Sequence, residues 1–187
     1  MNEVAEACGL SKPALYHYFR DKYDLLVNIA ETHVVRLQVL VADVEQMNLP
    51  PEARLRELIR RFVLEYAQAQ HAHRVLVQDV KFLRPDDQER ILGSERTVVH
   101  AFSATVGQIW PHLNDAELTA PTTMLLFGMT NWMFTWFRPS GNLSYEDMAP
   151  MVADLFFGGA PAVRSPSPTA SANSAAPAVF PRDSASG

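Results

Sequence analysis

Between Glu52 and Ala69, the residues Leu55, Leu58, Ile59, Phe62 and Tyr66 recur at i, i+3, i+4, i+7 and i+11, with Arg56, Arg60 and Arg61 off that line. One apolar stripe on a 3.6-residue period is a helix that must bury one face against other elements. No stretch of useful length alternates apolar and polar as a strand would, so the covering elements are helices too and the chain reads as all-α. The punctuation agrees. Pro50-Pro51 opens the striped segment, since the first helical position does not need its N–H. His73–Leu83 forms a shorter segment closed by Arg84-Pro85. Pro85 then starts a helix with apolar positions Ile91, Leu92, Val98, Val99, Phe102, Val106, Ile109 and Trp110, and with Asp86, Asp87 and Glu89 at its positive end. Asn114-Asp115-Ala116-Glu117 has the spacing of a capped helix start, Ser144-Tyr145-Glu146-Asp147 repeats it, and Gly158-Gly159 is a stop.

The stretch Leu118–Phe137 carries no charge over 20 positions, a length that can span a bilayer. Pro121, Asn131 and the threonines Thr119, Thr122, Thr123, Thr130 and Thr135 argue against a span, as do the charged helices around it. The expectation is a central helix, with one face on its own domain and another on a partner or ligand. From 161 onward the composition changes: of 27 residues, seven are Ala, six Ser and five Pro, too little apolar surface to offset the entropy of ordering. Residues 161–187 are therefore expected to be a disordered tail behind a folded body of 1–160. The single cysteine, Cys8, cannot form an internal disulfide, and the start has neither a charged n-region nor an apolar h-region. Both point to the cytoplasm. A net charge of −5 excludes a surface basic enough to grip any polyanion, yet residues 11–22 hold Lys12, Arg20 and Lys22 against one acid, Asp21.

That local positive segment coincides with a compact pattern. Val4, Ala5 and Cys8 share a face of a short helix, Gly9 ends it, Ser11 caps the next, and Pro13 sits in its first turn. In the helix Lys12–Phe19, Leu15 and Phe19 face inward, while Lys12, Pro13, Tyr16 and Arg20 project from another side. Asp21 caps a third helix with Lys22 in its first turn. A helix, a glycine turn and a short helix with a basic, aromatic outer face make a helix-turn-helix, whose second helix fits the DNA major groove.

The run Val4-Ala5-Glu6-Ala7-Cys8-Gly9-Leu10-Ser11, followed by Leu15-Tyr16-His17-Tyr18-Phe19 and Asp21-Lys22-Tyr23-Asp24-Leu25-Leu26, resembles the TetR/AcrR family of bacterial transcriptional regulators. The resemblance implies a helix-turn-helix domain over 1–35 and a C-terminal helical ligand-binding and dimerisation domain over 36–160. It implies a homodimer formed by the last two helices and double-stranded operator DNA as a partner. Carried over by position, Lys12, Pro13, Ala14 and Tyr16 would meet base edges, with Ser11 beside them. His17, Tyr18 and Lys22 would hold phosphates. The family has a further helix ahead of the one that opens here. Either Met1 is an internal methionine of a longer reading frame, which is favoured, or the chain is natively short. In the second case Leu25, Leu26 and Ile29 lack cover, and the alternative function is a truncated member that binds ligand or dimerises without binding DNA.

The run Leu126-Phe127-Gly128-Met129-Thr130-Asn131-Trp132-Met133-Phe134-Thr135-Trp136-Phe137-Arg138-Pro139-Ser140-Gly141 is similar to a signature of regulators of fatty-acid, sterol and phenylacetate catabolism, several of which respond to acyl-CoA thioesters. It implies a small-molecule effector, with Phe62, Tyr66, Phe102, Met129, Trp132 and Trp136 lining an apolar pocket and Arg138 meeting a phosphate or carboxylate. A plainer role for the tryptophans is dimer-interface core. No catalytic set, metal site or cofactor motif is visible: His71 and His73 point to different sides, His100 and His112 stand alone, and no inward Glu or Glu-x-x-His pair is apparent. The expectation is a regulator, neither enzyme nor membrane protein, with no cofactor.

Overall fold

The structure, a computed structural model, describes residues 5–6, 9, 11–138 and 141–165, leaving aside the side chain of Phe134. No strand occurs among the described residues. Ala5 and Glu6 are helical, and Gly9 takes φ +64° with its N–H on the Glu6 carbonyl at 3.0 Å, a left-handed stop that favours glycine. Val4, Cys8 and Leu10 lie outside the described residues. Helix α1 (Lys12–Tyr18) begins on Ser11, whose hydroxyl accepts the Ala14 N–H at 3.2 Å. Helix α2 (Lys22–Gln46) begins on Asp21, whose carboxylate accepts the Asp24 N–H at 2.8 Å. It runs unbroken through residue 35, where the sequence suggests a domain boundary.

By length and composition α2 could cross a bilayer. Its Val27, Ala30, Val34, Leu37, Val41 and Val44 instead form one wall of the main core. Helix α3 (Pro51–Gln68) lays its stripe into that core, with Leu55, Leu58, Ile59 and Phe62 no more than 1% exposed. Helix α5 (Pro85–Ile109) packs against both, and α7 (Thr119–Asn131) and α9 (Tyr145–Gly159) close the other side, α9 lying along α3. Phe62 stands at the centre, its ring 4.8 Å from that of Phe102 and 6.5 Å from that of Phe127. Truncating such a side chain to alanine costs about 3–5 kcal/mol.

Three segments differ from the sequence reading. His73–Leu83 is not one helix but α4 (Gln70–Arg74), a π-helical turn (Val75–Asp79) and a 3-10 turn (Val80–Phe82). The change of pitch turns both Leu76 and Val80 inward and leaves Val77 and Phe82 outside. Asn114 does not cap a helix start; it lies in α6 (Pro111–Asp115). Its amide donates to the Gly107 carbonyl at 3.1 Å and accepts from the Thr119 hydroxyl at 2.7 Å, joining the end of α5 to the start of α7. A Cβ at Gly107 would sit 2.5 Å from the Asn114 Oδ1, so glycine makes room for this link. Finally, Leu118–Phe137 breaks at Trp132 into α7 and the short α8 (Met133–Trp136). There the Thr135 hydroxyl donates to the Trp132 carbonyl at 2.7 Å and that of Thr130 to the carbonyls of Leu126 and Phe127 at 3.3 Å, bonds that compete with the helical ladder. The reciprocal cap at Ser144 and Asp147 forms as its spacing predicts. After α9 a 3-10 turn (Ala160–Ala162) lets Val163 pack against the core; the rest of the expected tail, 166–187, lies outside the described residues.

Polar side chains interrupt the core where α2, α3 and α4 meet. His33 and His73 are 3% and 1% exposed, and their rings face at 3.3 Å between Nε2 and Nδ1. Tyr66 stacks on His73 with centroids 3.7 Å apart. Burial, with Arg36 nearby, pushes His33 down to about 4; burial and the neighbouring His33 push His73 down to about 3, against a backbone hydrogen bond to Asn131. Both imidazoles are thus neutral in the folded protein at neutral pH, whereas an unfolded histidine protonates near 6.5. Below that value the unfolded chain takes up protons that the folded chain refuses, so stability falls as the pH drops from about 6.5 toward 4. The melting temperature should therefore fall by several degrees between pH 7.5 and 5, and His33→Asn with His73→Asn should flatten that slope. An unchanged slope in the double variant would show that other groups govern the acid response.

Candidate nucleic-acid interface and effector region

The residues expected at DNA are mostly exposed on α1 and at the start of α2. Ser11, Lys12, Pro13, His17 and Lys22 are exposed, Ala14 is half-buried, and Tyr16 and Tyr18 are 45% and 71% exposed. The opposite side of α1 holds Leu15, 3% exposed, in a small apolar cluster with Ala5, Phe19 and Leu25. Ser11 and Asp21 fix where α1 and α2 begin, and that spacing turns the Lys12 and Tyr16 side chains to the same side. The Lys12 ammonium lies 6.0 Å from the Tyr16 ring centroid, the His17 ring meets Tyr18 edge-on at 5.3 Å, and neither Lys12 nor Lys22 forms an ion pair among the described residues. An ammonium group beside an exposed aromatic ring on α1, with a second at the start of α2, offers phosphate contacts and base-edge donors. Arg20, by contrast, is held by Asp24 at 2.8 Å.

The seven residues expected to line one effector pocket do not converge. Phe62, Tyr66 and Phe102 are inside, packed ring on ring. Met129 is half-buried, and Trp132 and Trp136 are 60% and 55% exposed. Arg138 is exposed and donates to the Phe137 carbonyl at 3.1 Å. The break at Trp132 is the reason, because it turns Met133 and Phe137 into the core and leaves Trp132 and Trp136 outside. With Met124, Leu125, Met151 and Leu155, the two tryptophans leave a broad apolar surface along α7, α8 and α9. Such a patch on a soluble domain marks an interaction face.

The interior instead presents polar groups that the sequence reading did not single out. Beside His33, His73 and Tyr66 lie Glu65, Glu95 and Asn131. Glu65 is 4% exposed and meets Arg36 at 2.6 Å, although the guanidinium N–H is not aligned on that oxygen. Glu95 is half-buried, and burial raises its pKa. The Asn131 Oδ1 is buried without a hydrogen-bond partner. Burial, with the negative charge of Glu95 and Glu65 nearby, raises Tyr66. The expectation of no inward acid is thus corrected: Glu95 sits on the buried stripe of α5 between Ile91 and Val98, four residues from one and three from the other, a spacing visible in the sequence. These polar groups interrupt an otherwise apolar core, with the rings of His33, Tyr66 and His73 packed on one another.

Known proteins agree with this geometry. Residues 1–29 match the family described as bacterial regulatory proteins, tetR family, and residues 48–160 match the tetracyclin repressor-like C-terminal domain. Among solved structures, a TetR-family transcriptional regulator from Bordetella parapertussis 12822 is 28% identical, with a TM-score of 0.78 over 88% of this chain and 86% of that one. The TetR-family regulator PfmR from Thermus thermophilus is 23% identical, with a TM-score of 0.70 over 83% and 85%. AibR, solved in complex with isovaleryl coenzyme A and operator DNA, is 22% identical, with a TM-score of 0.70 over 82% and 84%. A comparison with curated protein sequences finds no match. With more than half its length matched by a family domain, and helix-turn-helix and helical effector region joined as described, the chain belongs to the TetR family of bacterial transcriptional regulators and is not an enzyme.

Proposed function

We propose that the chain is a homodimeric, effector-responsive repressor that reads a palindromic operator in the cytoplasm. Its recognition unit would extend to about residue 35 and its effector domain over 36–160, with α2 shared by both. The observation that carries the reading is α1, where Lys12, Tyr16 and Tyr18 are exposed and Lys12 pairs with no acid among the described residues. Lys12, Pro13, Ala14 and Tyr16 would contact base edges; Ser11, His17, Tyr18 and Lys22 would hold the backbone. The apolar surface of α7 to α9 is supported as the dimer face by Leu125 and Leu155, 68% and 69% exposed, on adjacent helices. A two-fold pairing there would present two copies of α1 to successive major grooves.

The effector would bind where the polar groups interrupt the core, around His33, Tyr66, His73, Glu95 and Asn131. Apolar rings with a few polar groups suit an amphipathic molecule. The complex of AibR with isovaleryl coenzyme A and the run from Leu126 to Gly141 both favour an acyl-CoA thioester. Release of operator DNA on titration with acyl-CoAs of several chain lengths tests the class, and no response to any length removes it.

Lys12→Ala or Tyr16→Ala should weaken operator binding by about 1–3 kcal/mol in footprinting titrations; unchanged footprints for both would move recognition away from α1. Lys22→Ala should weaken all duplexes alike and lower the salt dependence by about one phosphate contact. Leu125→Glu with Leu155→Glu should convert a dimer into a folded monomer by light scattering, and a persistent dimer would place the interface elsewhere.

A further inference from the structure

The recognition unit and the effector domain have separate apolar clusters: Ala5 and Leu15, with Phe19 and Leu25, form one, and Val27 to Ala160 form the other. Where they adjoin lies a polar cleft of about 550 Å³, with Arg20, Asp21 and Asp24 on one side and Arg84, Asp87 and Arg90 on the other. One hydroxyl bridges it. The Tyr23 O–H donates to the Asp87 carboxylate at 2.7 Å and accepts the Arg84 N–H at 2.8 Å, across more than 60 residues of chain. The Arg84 guanidinium lies over the Tyr23 ring at 4.5 Å. Asp87 is held in turn by Arg90 at 2.6 Å, and Arg90 also pairs with Glu31 of α2.

We propose that Tyr23 is a positioning residue: through Asp87 and Arg84 it fixes the angle at which α1 is presented, and passes to it the state of the polar groups around His73. The coupling half of this rests on the effector reading above. The path is short and continuous. His73, stacked on Tyr66 and bonded to His33, lies in the last turn of α4; the π-helical and 3-10 turns follow directly, and the next residue but one after Phe82 is Arg84, whose N–H reaches Tyr23. A molecule that displaced His73 would move a segment of short, irregular turns and not a stiff helix, and so would shift Arg84 and the start of α5. The cleft leaves room for the recognition unit to tilt when the bridge gives way. Tyr23 lies off the DNA-facing side of α1, so its effect on DNA would be exerted only through position.

The test compares the intact wild-type chain with Tyr23→Phe, which keeps the ring and removes the bridge. Hydrogen exchange of the Lys12–Tyr18 amides should be about fivefold faster or more in the variant, with exchange over Leu55–Tyr66 unchanged. Duplexes selected from a random pool by the wild-type chain should bind the variant about fivefold more weakly, and Asp87→Asn alone, which keeps an acceptor for the Tyr23 hydroxyl, should lose less than Tyr23→Phe does. His73→Asn should alter duplex affinity in the wild-type background and not in Tyr23→Phe, the non-additivity that a transmitted effect requires. If His73→Asn fails to fold, His33→Asn takes its place. Equal exchange and equal affinity in Tyr23→Phe overturn the proposal; effects of the two substitutions that simply multiply overturn its coupling half. A wild-type chain that selects no duplex refutes operator binding, and the exchange comparison then decides the positioning role alone.

Discussion

The architecture depends on α2 being part of two apolar clusters at once. Because a helix turns about 100° per residue, neighbouring positions serve different bodies. Leu25 packs with Leu15 and Phe19, whereas Tyr23, Leu26 and Val27 pack on the main core. Farther along, Val34, Leu37, Val41 and Val44 hold the same helix against α3 and α5. A continuous hydrogen-bonded rod of 25 residues does not bend cheaply. A shift of its buried half must therefore appear as a tilt at its start, where α1 is attached. The seam is filled with arginines and carboxylates in place of aliphatic side chains, so the two bodies are joined without being fused.

The main core is not uniformly robust. Around Phe62, Phe102 and Phe127 it is aromatic and buried, with edge-on and tilted rings that suit their quadrupoles. Around His33 and His73 it buries two imidazoles at the cost of their solvation, partly offset by their mutual hydrogen bond and by Tyr66. The adjoining segment is broken into three short helical pieces of different pitch. The core thus has two kinds of region: the aromatic centre holds α3, α5 and α7 together, and the side interrupted by polar groups faces α2 and α4. Local openings with low free energy are expected on that side, since irregular turns and buried polar groups contribute least to cohesion.

Much of this was legible from residue order. The stripe of α3, the prolines that open α3 and α5, the caps at Ser11, Asp21 and Ser144, and the left-handed Gly9 are local features, set within one or two turns of chain. What escaped was decided by distant partners. Asn114 has the look of a cap, but Gly107 and Thr119 claim its amide. Leu118–Phe137 has the composition of one helix, but threonine hydroxyls and the need to bury Met133 and Phe137 divide it. Glu95 could have been found on the α5 stripe. The pairing of His33 with His73, 40 positions apart, has no sequence signal, because it exists only once α2 and α4 are packed together.

An acidic protein approaches a polyanion only if its charges are arranged for it. Here the arginines of the effector domain are largely committed: Arg36 to Glu65, Arg56 to Asp154, Arg60 and Arg61 to Glu57, Arg90 to Asp87, and Arg96 to Glu89. Glu57, gripped by Arg60 and then Arg61, is held down at about 2 and stays ionised at any working pH, so that cluster is closed. Lys12 and Lys22 have no such partner among the described residues. Paired charges largely cancel beyond about one Debye length, roughly 8–10 Å, whereas unpaired ones project farther. The field near α1 is then set largely by Lys12 and by Lys22 at the start of α2, and the net charge of −5 acts mainly to repel DNA from the rest of the surface. One of these cations, Lys12, lies beside the exposed ring of Tyr16 on α1.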